Sequence, residues 1–102
     1  MGLTLINRHK NYTLGIWEIT ESLEEIKKSI NDDNYKLFKS LKRQKEYLCT
    51  RLLLKEIDRN LSITYNKWGA PTLNTNKNIS ISHSKNIIAI IISKKNVAID
   101  IE

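Results

Sequence analysis

The chain has 102 residues and a formal net charge of +6, and 40% of its residues are hydrophobic and 27% charged. This length allows one small domain with a modest core, and the balance of apolar and charged residues excludes a disordered chain. The single cysteine, Cys49, excludes an internal disulfide and is typical of a reducing compartment. No apolar run reaches the about 18 residues of a membrane span. We therefore expect one cytoplasmic domain over residues 1–102, with no membrane as its partner.

The first part of the chain predicts a strand and a short helix. Residues 14–19 are rich in apolar side chains and are expected to form the strand. Ser22 and Glu25 have the spacing of a capping box, which predicts a helix start. The apolar residues of this helix that share one face are Leu23, Ile26 and Ile30. The polar residues 31–34 end it and are expected to cap the next helix.

The longest predicted element is a helix over about residues 34–59. The apolar residues that fall within one stripe of about 120° are Leu37, Phe38, Leu41, Leu48, Cys49 and Leu52. A separate flank carries Arg43, Tyr47 and Arg51 at spacings of i, i+4 and i+8. Two guanidinium groups on one line suit a phosphate-bearing ligand, although such a row is also typical of a solvated helix face.

The second half of the chain predicts short strands. Residues 62–65 predict a strand, residues 66–69 a turn and residues 70–73 an extended segment, because Pro71 disfavours a helical conformation at Ala70. A polar loop over residues 74–78 follows.

Three closing strands are expected within residues 79–102. Ile79 and Ile81 alternate with serines, residues 87–92 form a β-branched block typical of a buried strand, and the last strand covers residues 97–102. Asp100 and Glu102 then project from the same face, with Cα atoms about 6.5 Å apart. This pair suits a hard cation such as magnesium, although a solvated acidic edge has the same pattern.

These elements predict an α/β fold, α+β in a stricter scheme. The expected sheet is small and largely antiparallel, and it consists of the Trp17 strand and the three C-terminal strands. It is expected to pack on the long helix, with the short helix beside it.

Four motifs occur in an order that resembles the N-terminal half of the Sfp-type 4′-phosphopantetheinyl transferase family. They are KRQKEYLCTRLLLKEI, ITYNKWGAPTL, ISISHS and VAIDIE, and together they cover most of residues 42–102. The resemblance implies one half of the pseudo-dimer fold of that family. It also implies an enzyme that transfers 4′-phosphopantetheine from coenzyme A to a serine of an acyl or peptidyl carrier protein, with Mg²⁺.

The resemblance also implies roles for eight residues. Asp100 and Glu102 correspond to catalytic metal ligands. The residues that correspond to coenzyme A contacts are Arg43, Arg51, Gly69, Pro71, Ser82 and His83. Two positions depart from the family pattern, since Ala70 stands where a lysine is usual and Ala98 where a glycine is usual.

Family members complete their site with a second, C-terminal half that does not match any part of these residues. The resemblance therefore implies a truncated domain, and we expect the lone chain to have little or no transferase activity. We also expect its exposed cleft face to favour a homodimer.

Two other functions stay open at this point. One is a basic module that docks nucleic acid through residues 36–59, where the positive charge concentrates. The few scattered aromatic residues do not favour that function. The other is a non-catalytic relative that holds a carrier protein or a partner subunit.

Overall fold

The structure is a computed structural model, and it describes residues 2–94 of the chain. The elements in chain order are β1 (Leu3–Arg8), β2 (Tyr12–Glu18), α1 (Leu23–Ser29), a 3-10 turn (Asn34–Leu37), α2 (Leu41–Ile57), β3 (Ile63–Tyr65), β4 (Pro71–Leu73), β5 (Asn78–Ser84) and β6 (Ile87–Ser93). The expected α+β fold is confirmed. No helix in the described part of the chain is long and apolar enough to span a membrane.

The main sheet has four strands in the order β1-β2-β6-β5, and all of its neighbouring strands are antiparallel. The strands β3 and β4 form a separate two-stranded sheet. The prediction did not include β1, whose short apolar segment becomes an edge strand because a tight turn returns it onto β2. In that turn the His9 N–H donates to the Tyr12 carbonyl at 2.8 Å. The strand expected over residues 97–102 lies outside the described residues.

The core lies between α2 and the two central strands. Leu48 and Leu53 of α2 and Ile88 and Ile90 of β6 have no exposed surface. Burial of each such side chain stabilises the fold by about 1.5–3 kcal/mol. Gly15 of β2 permits the close approach of α2, since a Cβ atom at this position would lie 2.8 Å from Ile57 Cδ1.

The prediction of one continuous helix over residues 34–59 is wrong at its start. The side chain of Ser40 accepts a hydrogen bond from the Arg43 N–H at 3.1 Å and begins α2 there. Because an N-cap residue has an extended backbone, the helical register of the preceding turn is not continued through it. Leu37 and Leu41 are 79% and 55% exposed, so they lie outside the buried stripe that was expected to contain them.

The short helix begins as predicted. Ser22 and Glu25 form both hydrogen bonds of a capping box, and Ile26 is buried beneath them. The hydrogen bonds from the Ser22 backbone and side chain hold the pKa of Glu25 below its usual value. The following residues 31–34 do not cap α2, because Ser40 does so and Asp33 forms no side-chain capping hydrogen bond.

Cys49 is buried in the core, as expected of a small core residue. Burial raises its pKa to about 12, whereas an exposed thiol in a peptide has a pKa of about 8.5.

We therefore expect iodoacetamide at mildly alkaline pH to leave Cys49 of the folded protein unmodified. The same reagent should alkylate the protein that is unfolded in guanidinium chloride, and intact mass measures both results. Above the ordinary thiol pKa, Cys49 ionises in the unfolded state and stays protonated in the folded state. The unfolded state is therefore stabilised, and the free energy of unfolding falls as the pH rises. Rapid alkylation of the folded protein would contradict this burial.

The substitution Gly15→Ala should destabilise the protein by about 1–3 kcal/mol, because the new methyl group overpacks the helix–sheet contact. Urea denaturation measures this loss. Ile57→Val removes the Cδ1 atom that lies closest to the new methyl group. In the Ile57→Val background, Gly15→Ala should therefore lower the free energy of unfolding by a smaller amount. An equal loss in both backgrounds would show that the contact with Ile57 is not the cause.

Candidate anion-binding site

A cavity of about 420 Å³ opens between α2, the β3–β4 hairpin and β5. Its lining residues are Phe38, Arg43, Glu46, Tyr47, Thr50, Arg51, Tyr65, Gly69, Pro71, Ile81 and His83. Five of the six residues expected to contact coenzyme A are among them. They come from three separate motifs, and the fold brings them to one place.

One face of α2 provides the largest part of the lining. Arg43, Tyr47 and Arg51 follow each other at intervals of one helical turn, and Glu46 and Thr50 lie beside them on the same face. The predicted flank of the helix therefore borders an open cavity, with Arg43 exposed at it and Tyr47 and Arg51 half-buried. Arg43 is exposed, and no ion pair joins its guanidinium group to another residue between 2 and 94.

The strand β5 places His83 in the cavity and Ser82 away from it. Side chains alternate along a strand, so Ile81 and His83 share the face that lines the cavity and Ser82 lies on the other face. The strand ladder includes His83, which pairs with Ile88 of β6. His83 therefore projects from regular, hydrogen-bonded backbone and not from a loop.

The turn that was predicted over residues 66–69 is confirmed, and it joins β3 to β4. The Gly69 N–H donates to the Asn66 carbonyl at 2.9 Å, and the Asn66 N–H donates to the Ala70 carbonyl at 3.0 Å. Gly69 has a φ of +81°, a conformation that favours glycine. The turn brings Gly69 and Pro71 to the rim of the cavity.

Arg51 is held by two neighbours. Its guanidinium carbon lies 3.6 Å from the centre of the Tyr47 ring, and its Nε atom lies 3.6 Å from Asp32 Oδ2. The Tyr47 hydroxyl donates to the same carboxylate at 3.0 Å. Burial raises the pKa of Tyr47, while Arg51 opposes this shift and the hydrogen bond to Asp32 adds to it. The phenol therefore stays protonated and keeps its hydrogen bond.

His83 also has an acidic partner. Its Nδ1 atom lies 3.2 Å from Glu46 Oε2, and this ion pair forms when the imidazole is protonated. Asp32 thus balances Arg51, and Glu46 balances a protonated His83. The charge of Arg43 is left without a carboxylate partner among the described residues, which makes the cavity attractive to an anion.

The predicted metal ligands cannot be placed in this site. Asp100 and Glu102 lie outside the described residues. Within residues 2–94, no group of three or more His, Cys, Asp or Glu side chains is arranged to hold a metal ion.

Sequence reasoning missed two carboxylates, Glu46 in the lining of the cavity and Asp32, which holds Arg51 and Tyr47 from outside that lining. Glu46 lies one helical turn from Arg43 and from Thr50, so the helical spacing that selected the arginines was also the signal for it. Asp32 reaches Arg51 through a tertiary contact across 19 residues of chain, and no local pattern predicts such a contact.

Comparisons with models of known protein families, with curated proteins and with solved structures find no match for this chain. The resemblance to phosphopantetheinyl transferases therefore depends on the motifs alone.

The substitution Tyr47→Phe should lower the free energy of unfolding by about 1 kcal/mol, because it removes the hydroxyl that donates to Asp32. Urea denaturation measures the change. Tyr65→Phe is the matched control, since Tyr65 also lines the cavity but is exposed. Equal stability of the Tyr47→Phe protein and the wild type would contradict the importance of this hydrogen bond.

Proposed function

We propose that the cavity binds the phosphates of coenzyme A. The domain would then take part in the Mg²⁺-dependent transfer of 4′-phosphopantetheine to a serine of an acyl or peptidyl carrier protein. The observation that supports this proposal is the convergence of Arg43, Arg51, Gly69, Pro71 and His83 on one cavity. These residues belong to motifs that are separated along the chain.

The chemistry of the lining suits phosphate groups. Guanidinium groups bind phosphate oxygens with charge-assisted hydrogen bonds, and a protonated imidazole donates from both nitrogens. The volume of about 420 Å³ lies in the range of small-molecule sites. Ala70 removes the cation that is usual in the turn of the family, but Lys67 lies in the same turn, where its Nζ atom is 4.4 Å from the Trp68 ring.

The proposed reaction forms a bond between the carrier serine oxygen and the phosphorus that bears pantetheine. The bond from that phosphorus to the leaving adenosine 3′,5′-bisphosphate breaks, and the serine hydroxyl loses its proton to water. Arg43, Arg51 and His83 would hold the substrate phosphates and orient this phosphorus. Magnesium, when bound, supplies further neutralisation of phosphate charge, and Asp100 and Glu102 remain its proposed ligands.

The test is the binding of coenzyme A to the 102-residue chain, which an NMR titration in the presence of Mg²⁺ measures. Arg43→Gln should weaken binding by about ten-fold, since it removes a charge-assisted contact. Arg59→Gln is the matched control, because it removes the same charge outside the cavity. Equal loss in both variants would indicate a general effect of net charge.

Titrations of the same chain with other partners separate the competing functions. Binding of single-stranded RNA that falls steeply with salt and ignores Mg²⁺ would favour a nucleic-acid module. Binding of a carrier protein that does not respond to coenzyme A would favour a non-catalytic partner. No binding of coenzyme A by the wild-type protein would refute the proposal.

We propose that the isolated chain also forms a homodimer. Tyr65 and Trp68 are exposed on the β3–β4 hairpin, and Tyr65 lines the cavity. Contact between two copies would bury these aromatic surfaces. Light scattering at increasing concentration should therefore detect dimers, and Trp68→Ser should weaken them. A monomer at every concentration would contradict this expectation.

A further inference from the structure

Glu46 is a carboxylate in a cavity that is otherwise suited to anions. It is only 7% exposed, and its side chain pairs with His83 across the gap between α2 and β5. The motif resemblance assigns no role to this residue. A buried carboxylate is costly unless it is paired, so its presence beside two arginines and a histidine requires a physical reason.

The geometry of the pair suggests that reason. Glu46 approaches the Nδ1 side of the imidazole, and His83 is itself anchored in the β5–β6 ladder. The side chain of His83 remains 45% exposed at the cavity. With Nδ1 engaged by the helix, Nε2 is the ring nitrogen left for a ligand, and no hydrogen bond in the described part of the chain occupies it.

We infer that Glu46 is a positioning residue that orients the His83 imidazole, so that the Nε2–H of the protonated ring donates to a phosphate oxygen of the bound ligand. This inference depends on the proposed function, because it assigns a role within the same anion site. Carboxylates orient metal-binding histidines in a similar way, by accepting a hydrogen bond from the ring nitrogen that does not bind the metal.

The negative charge of Glu46 has a second, opposite effect on a bound anion. Glu46 lines the same cavity, so its charge repels a phosphate, while its hold on His83 favours one. The effect of neutralising Glu46 should therefore change sign when His83 is removed. A role in repulsion alone or in folding alone predicts no such reversal.

The experiment compares the wild-type chain with Glu46→Gln, His83→Gln and the double variant. Each protein is titrated with coenzyme A and, separately, with inorganic pyrophosphate, and NMR shifts report the affinity. Glu46→Gln should weaken binding by roughly five- to ten-fold when His83 is present. In the His83→Gln background the same substitution should strengthen binding, because only the repulsion is left to remove.

Two results would overturn the inference while the proposed function stands. Stronger binding in both backgrounds would assign Glu46 a repulsive effect only, and unchanged affinity with lowered stability to urea would assign it a structural effect only. No binding of either anion by the wild-type protein would refute the proposed function, and this inference with it.

A measurement on the wild-type chain covers the case in which a Glu46 variant does not fold. Histidine labelled with ¹⁵N distinguishes the two ring nitrogens, and His83→Gln separates the His83 signals from those of His9. Pyrophosphate should shift the Nε2 signal of His83 and leave its Nδ1 signal in place. A shift of Nδ1 with an unchanged Nε2 signal would overturn the inference.

Discussion

The packing of α2 across β2 and β6 is the contact on which the rest of the structure depends. Leu48 and Leu53 of the helix meet Ile88 and Ile90 of the sheet in a part of the core that has no exposed surface. Gly15 allows this approach, because any larger residue at that point would press against Leu53 and Ile57. Apolar contacts therefore determine the position of the helix on the sheet, and this position also determines the direction in which the polar face of the helix points.

The candidate site is a consequence of that placement. When the buried face of α2 lies on the sheet, the neighbouring face with Arg43, Tyr47 and Arg51 turns toward β5 and the β3–β4 hairpin. The side chains of the site are then held by pairs that join separate parts of the chain. Asp32 holds Arg51 and Tyr47 from the segment before α2, and Glu46 holds His83 from the helix. These pairs fix directions for cationic groups that would otherwise move freely in solvent.

The sequence predicted those features that depend on local patterns. The capping box at Ser22, the turn that ends at Gly69 and the row of arginines on α2 all follow from residue type and spacing within a few positions. The predicted start of α2 was wrong because Leu37 and Leu41 have the spacing of residues on one helical face, although the Ser40 cap separates them. A single cap with an extended backbone interrupts such a pattern, and the periodicity of the apolar residues does not show it.

Tertiary features could be predicted only where motifs marked them. The pairing of β1 with β2 and the contact of Asp32 with Arg51 depend on how distant segments meet. The convergence of His83 and Gly69 on one cavity was expected from the resemblance and not from any local rule. Ser82 shows the limit of that reasoning, because strand alternation turns it away from its neighbour in the motif.

The proposed anion site, suited to the phosphates of coenzyme A, is tested most directly by the backbone amide shifts that adenosine 3′,5′-bisphosphate causes in the ¹⁵N-labelled chain. The largest shifts should cluster at Arg43, Arg51, Gly69 and His83. Shifts that cluster elsewhere, or that spread evenly over the lysine-rich surface, would contradict the proposed site.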